Sequence, residues 1–235
     1  MKREAEKWKS VDSRQEPETM NPATRNSQLG TKNQIMKIDI ILAGVGGQGI
    51  LSIAASIGMA AIRNGLNLKQ AEVHGMSQRG GAVHSNLRIS DKEIASDLIP
   101  EGSADMIIAV EPMEALRYIS YLSVEGWIIA NSNPYINIPD YPDPEKIYGE
   151  IRKYKYHILL DADKIASGLG SRKASNMVIL GAATPFLDIP QESFEEGIRD
   201  VFGRKGEEIV KMNIDALNAG REVARLINHK QPRNS

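Results

Sequence analysis

Gly44, Gly46 and Gly49 in the run GVGGQG complete a G-x-G-x-x-G spacing. The apolar stretch KIDIILAG leads into them and ILSIAASIGMAAIRNG follows, so the glycines occupy a turn from strand to helix. Backbone N–H groups at the start of such a helix lack intrahelical partners and suit the oxygens of a phosphate. Three readings of the turn stay open: a dinucleotide site, a site for another phosphate-bearing ligand such as coenzyme A, or a tight bend that only allows close helix–sheet packing. A nicotinamide site also calls for an acidic residue at the end of the second strand. Glu72 lies near that place, but NLKQAEVHGMSQRGG reads as a weak strand running into a polar loop. Gln48, inside the turn, carries an amide that can orient a ligand or a partner chain, or be solvated.

A second cluster, Glu72–Arg88 (EVHGMSQRGGAVHSNLR), packs two histidines, two arginines, Ser77, Gln78 and three glycines into one span. Gly80 and Gly81 permit close backbone approach, and Arg79 offers a forked donor for a carboxylate or phosphate, or for a structural ion pair. His74 suits a general base or a donor to a substrate carbonyl, or an interface hydrogen bond. His74 and His84 lack the thiol and carboxylate company of a zinc site, so no metal is expected. NSNPYINIPDYPDPEK at Asn131–Lys146 is either a proline-stiffened connection or the lining of a cleft. Glu111, ahead of Pro112, reads as a cap for the following helix rather than a catalytic acid.

The elements that must hold these residues alternate in type along the chain. Short apolar runs at Lys37–Gly44, Asp105–Val110, Gly126–Ser132 and Tyr156–Ala162 have the length and continuity of buried parallel strands. Ile50, Ile53, Ala54, Ile57, Ala60 and Ala61 share one helix face that Gly65 ends. PMEALRYISYL and PEKIYGEIRKY read as crossover helices. Val83, Ser85, Leu87 and Ile89 alternate with polar or small neighbours, and SDKE after them can turn the chain, which predicts a hairpin inserted into the sheet. The C-terminal part reads as helical, with Ile209, Met212, Ala216, Ala219, Val223 and Leu226 as the stripe of its last helix. The expected fold is α/β: an open, mainly parallel but mixed, Rossmann-like sheet flanked by helices, with a hairpin insertion and a helical C-terminal region. Residues 1–35 are polar and charged and predict a disordered leader, 36–228 a single domain, and 229–235 a polar tail.

Bulk composition excludes several classes. A formal net charge of -1 in 235 residues gives no basic footprint for nucleic acid. With no cysteine, the chain cannot form disulfides or hold an iron–sulfur cluster on thiolates. No apolar run reaches the roughly 18 residues of a membrane span, and no secretory signal is evident, so a cytoplasmic location is expected.

GVGGQGIL, EVHGMSQRGGAVHSNLR, LIPEGSADMIIAVEPMEALRY, NMVILGAATPFL and KGEEIVKMNIDALNAG together resemble the gamma subunits and gamma domains of 2-oxoacid ferredoxin oxidoreductases. The likeness runs over Met36–Ile227, and HGMSQRGG, where other branches carry a P-E-x-R-G-G pattern, favours the indolepyruvate branch, in which this is the beta subunit. The resemblance implies oxidative decarboxylation of an aryl 2-oxoacid, with coenzyme A taking the acyl group and ferredoxin two electrons. It implies a large alpha subunit carrying thiamine diphosphate, magnesium and iron–sulfur clusters, and no tightly bound cofactor here. This chain has neither cysteines nor a G-D-G…N segment of the type that holds a thiamine diphosphate metal. Under that resemblance Gly44, Gly46, Gly47, Gln48 and Gly49 face coenzyme A phosphates, and the loop of His74, Gln78, Arg79, Gly80 and Gly81 faces the alpha subunit or a substrate channel. His74 and Arg79 are the catalytic candidates. Alternatives are a subunit acting on pyruvate or another 2-oxoacid, and a stand-alone nucleotide-binding regulatory module.

Overall fold

The computed structural model describes residues 36–74 and 80–230. The predicted leader over 1–35, loop residues 75–79 and tail residues 231–235 lie outside them.

β1 (Lys37–Val45), β2 (Asn67–His74), β3 (Ala82–Ser90), β4 (Ala104–Ala109), β5 (Leu122–Asn131) and β6 (His157–Leu160) form one sheet in the order β2-β3-β1-β4-β5-β6. β1, β4, β5 and β6 run parallel, whereas β3 is antiparallel to both β1 and β2. The parallel strands are continuous apolar runs because helices cover both of their faces. Ile40 and Leu42 of β1 point into one core and Ile41 and Ala43 into the other.

The larger core is closed by α1 (Ile50–Arg63), α5 (Ser175–Ala183), α6 (Gln191–Phe202) and α7 (Glu207–Lys230), the smaller by α2 (Pro112–Arg117) and α3 (Pro144–Ile151). All six apolar residues assigned to the inner face of α1 are buried. α5 is buried from Asn176 to Ala183, as an all-round apolar helix must be. It crosses α7 at two glycines: a Cβ on Gly181 would stand 1.9 Å from the Leu217 carbonyl oxygen, and one on Gly220 1.9 Å from that of Val178.

Several boundaries differ from the sequence pattern. The hairpin forms, but its turn precedes β3 rather than following it, and no strand returns from SDKE. β3 is paired along both edges, with β1 and with β2, and Arg88 binds the carbonyls of Ser96 at 3.0 Å and Leu98 at 2.9 Å, fixing the following segment as an irregular loop. The helix expected from PMEALRYISYL stops at Arg117, and Tyr118 at its end sets its ring against His84, centroids 4.5 Å apart and planes tilted by 34°. α4 (Ala162–Gly168), unforeseen, is capped by Asp161, whose carboxylate accepts the Lys164 N–H at 2.9 Å. On α7 the buried face is Val210, Asn213, Ala216, Leu217, Gly220 and Ala224; Leu226, assigned to the stripe, is exposed. The phase follows the close approach of the two helices, Gly181 against the Leu217 backbone and Gly220 against that of Val178, rather than the size of the side chains.

Candidate functional site

β1 and β4 lie side by side, yet the helices that follow them cover opposite faces of the sheet. Such a reversal opens a crevice at the carboxyl ends of the strands. Here the crevice is a cavity of about 610 Å³, lined by Gly47, Gln48, Gly49 and Ser52 from the glycine turn, Val110, Asn131, Asn133, Pro134 and Tyr135 beyond β4 and β5, Asp163 of α4, and Arg172, Lys173, Asn176, Ile179, Phe202, Lys205, Ile209, Met212 and Asn213 from the helical layer.

The five glycine-turn residues divide in role. Gly44 is buried in β1 away from the cavity, and a Cβ there would meet Val110 Cγ2 at 2.3 Å. The Gly46 N–H donates to the Gly81 carbonyl at 2.9 Å and the Gln48 N–H to that of Val45 at 3.1 Å. Gln48 Oε1 accepts the Val45 N–H at 2.8 Å, so this amide clamps the turn from within rather than standing in solvent. The N–H groups of Gly47, Gly49, Ile50 and Leu51 donate to no acceptor among the described residues, and of these four residues Gly47 and Gly49 line the cavity. Gly47 and Gly49 have φ of 99° and 86°, which glycine adopts without strain. No acidic residue occupies the first turn of α1, leaving the positive end of the helix dipole uncompensated.

A polar frame stands opposite. Asp163 Oδ2 accepts the side-chain amides of Asn131 at 3.0 Å and Asn133 at 2.8 Å, while its Oδ1 accepts Arg172 Nε at 2.9 Å. Burial works against the charge on Asp163, but these donors prevail and hold its carboxyl below the ordinary aspartate range. Asn131 Oδ1 in turn accepts the Ala162 N–H at 3.1 Å, tying the end of β5 to the start of α4. With Arg172, Lys173 and Lys205 against Asp163, the cavity lining is net positive.

Three stretches singled out in the sequence converge beside this cavity. Gly80 and Gly81 bond to Gly46, and Asn137 of the proline-rich segment donates to the Gly80 carbonyl at 2.6 Å. His74 closes β2, whereas Gln78 and Arg79 lie outside the described residues. His84 is not in the cavity; burial against the Tyr118 side lowers its pKa. Glu72 sits on the edge strand β2, paired with Ser85, with antiparallel β3 between it and β1. The nicotinamide rule needs that acid on the strand next to β1, so the geometry disfavours a dinucleotide. Glu111 does cap α2, accepting the Glu114 N–H at 2.9 Å. It also accepts the Tyr141 hydroxyl and, at 3.4 Å, the Tyr135 N–H, which pins the proline-rich segment over the strand ends. Sequence reasoning missed Asp163, Arg172, Lys205 and Asn176; ordinary helix-flank residues give no local signal, and only the fold collects them. Among the described residues, no group of three His, Asp or Glu could hold a metal ion, and no helix is long and apolar enough to cross a membrane.

The fold and the site define an open α/β domain with a net-positive crevice where the helices that follow β1 and β4 pass to opposite faces of the sheet. The chain belongs to the pyruvate ferredoxin/flavodoxin oxidoreductase family, whose model matches residues 39–223. It is 40% identical over 194 residues to the indolepyruvate oxidoreductase subunit IorB of Archaeoglobus fulgidus, covering 79% of this chain and 94% of that one. Its likeness to the same subunit of Thermococcus kodakarensis is 36% over 198 residues, 80% and 96% of the two chains. Among solved structures, the 2-oxoglutarate:ferredoxin oxidoreductase of Magnetococcus marinus with 2-oxoglutarate, coenzyme A and succinyl-CoA bound superposes with a TM-score of 0.66 at 24% identity, over 81% of this chain and 31% of that one. The chain is thus a small subunit of an oxidoreductase made of several subunits.

Proposed function

We propose that this chain is the subunit without redox groups in an indolepyruvate ferredoxin oxidoreductase, and that its cavity receives the phosphates of coenzyme A. The observation that carries the first part is the 40% identity maintained over 94% of the Archaeoglobus fulgidus subunit. Thiamine diphosphate with magnesium supplies the carbanion chemistry of 2-oxoacid decarboxylation, and iron–sulfur clusters pass the electrons to ferredoxin. We assign neither group to this chain: it has no cysteine for the clusters and no G-D-G…N segment for the thiamine diphosphate metal. Both belong to the large alpha subunit.

The donor set does fit coenzyme A. The N–H groups of Gly47 and Gly49, at the start of α1 and without an acceptor among the described residues, meet its diphosphate, while Arg172, Lys173 and Lys205 add cationic side chains. Apolar Ile179, Phe202 and Met212 accept the less polar part of the ligand. The loop of His74, Gln78, Arg79, Gly80 and Gly81, joined to the glycine turn, faces the alpha subunit or the channel to its active site.

The test is reconstitution with the large alpha subunit and a screen of 2-oxoacids with coenzyme A and a ferredoxin or viologen acceptor. Indolepyruvate is expected to give the highest kcat/KM. A preference for pyruvate or 2-oxoglutarate would reassign the substrate. A chain that refuses the alpha subunit and binds a nucleotide alone would make it a regulatory module instead.

A further inference from the structure

Arg172 is tied to Asp163 through Nε alone. Asp163 itself cannot swing, because Asn131 and Asn133 hold its other oxygen. The two terminal nitrogens of Arg172 meet no acceptor among the described residues, although the residue lines the cavity. Lys173 and Lys205 line it too, with no acidic partner among those residues, and the Lys205 ammonium stands 5.2 Å from the centre of the Phe202 ring. An arginine oriented by a carboxylate, beside two lysines without an acidic partner among the described residues, adds cationic groups beyond the turn N–H donors assigned to the diphosphate. A phosphate monoester, close to doubly charged at neutral pH, matches this arrangement. The guanidinium fork takes two of its oxygens at once.

We propose that Asp163 is a positioning residue that presents Arg172, with Lys173 and Lys205, to a phosphate monoester, so that the cavity selects coenzyme A, which carries a 3′-phosphate, over dephospho-coenzyme A. The inference rests on the coenzyme A reading above and adds to it a named specificity determinant. Asp163 acts through Arg172 and does not itself meet the ligand.

The experiment is calorimetric titration of the complex reconstituted with its alpha subunit, using coenzyme A and dephospho-coenzyme A as the two ligands. The unaltered complex should bind coenzyme A about tenfold or more tightly than the dephospho form, the range of a charge-assisted contact. Arg172→Gln, a change at an exposed side chain that leaves the fold intact, should remove most of that preference by weakening coenzyme A alone. Asp163→Asn should erode the preference in smaller measure and add nothing in the Arg172→Gln background. Equal affinity for the two ligands in the unaltered complex would overturn the inference while leaving the coenzyme A reading in place. So would an Arg172→Gln complex that weakens both ligands alike, or an Asp163→Asn effect that persists without Arg172. Absence of binding by both ligands would remove the coenzyme A reading and this inference with it.

Discussion

Arg88 grips Asp39 across the β1–β3 pair with two parallel hydrogen bonds, Nε to Oδ1 at 2.8 Å and Nη2 to Oδ2 at 3.0 Å, where Asp39 is fully buried. The remaining Arg88 nitrogen reaches the carbonyls of Ser96 and Leu98, so one side chain joins the sheet to the irregular loop that leads into β4. Within the cluster of polar residues around the Gly80–Gly81 pair, this arginine is a framework residue rather than a ligand.

Arg88→Met is therefore expected to destabilise the chain by about 3 kcal/mol, since it leaves a buried carboxylate without its main partner. Lys37, 2.7 Å from Asp39 but half exposed, compensates only in part. The midpoint of urea unfolding measures the loss, and a midpoint unchanged from the parent would refute the role.

A second expectation concerns the α5–α7 crossing. Gly220→Ala places a methyl 1.9 Å from the Val178 carbonyl oxygen, a backbone atom that cannot rotate away. The helices must separate, at a cost of about 3 kcal/mol or more, beyond ordinary overpacking. Gly203→Ala, whose Cβ meets nothing within 4 Å, serves as the control and should leave the melting temperature nearly unchanged.

How much of this was readable beforehand depends on the range of the interaction. The strand-turn-helix at Lys37–Arg63 and the buried strands at β4, β5 and β6 show in the sequence because continuous apolar runs and one helical face are local patterns. The place of β3 between β1 and β2 is not local: alternation at Val83–Ile89 marks a strand but does not say which strands flank it. The α7 face went astray because periodicity rewards Leu226 for its size, whereas the crossing with α5 is set where Gly181 meets the Leu217 backbone and Gly220 that of Val178. At the site, the glycine turn and the Gly80–Gly81 pair were visible, and the fold bonds them together. Asp163 and Arg172 were invisible because their meaning comes from Asn131 and Asn133, some 30 positions away.

Alkaline pH gives a third check. Burial first, and then the hydrogen bond to Glu111, raises the pKa of Tyr141 far above the ordinary value for tyrosine. The native state therefore resists ionisation that the unfolded chain undergoes near pH 10. The stabilisation is present in full below that pH and is lost progressively as pH rises above it. Urea midpoints between pH 8 and about 11 should fall steeply above pH 10. Tyr141→Phe should begin lower by about 1–3 kcal/mol, with Glu111 short of a donor, and fall less steeply. Parallel curves for the two proteins would contradict the assignment.

The glycine turn offers a final contrast between packing and binding. Gly44→Ala drives a methyl to 2.3 Å from Val110 Cγ2, and Val110 is buried and β-branched, so it has little room to yield. The expected cost is about 1–3 kcal/mol of stability, read from urea unfolding, with coenzyme A affinity of the folded reconstituted complex changed less than by Gly47→Ala, since only the neighbouring Val110 side chain and not Gly44 itself lines the cavity. Gly47→Ala meets no atom within 4 Å, but at φ 99° the alanine backbone is strained by about 1–3 kcal/mol, and the residue lines the cavity. Here coenzyme A affinity should fall several-fold in the same titration. Were both substitutions to cost stability and neither to change affinity, the turn would be a packing device alone, and the anion site would have to rest on Arg172, Lys173 and Lys205.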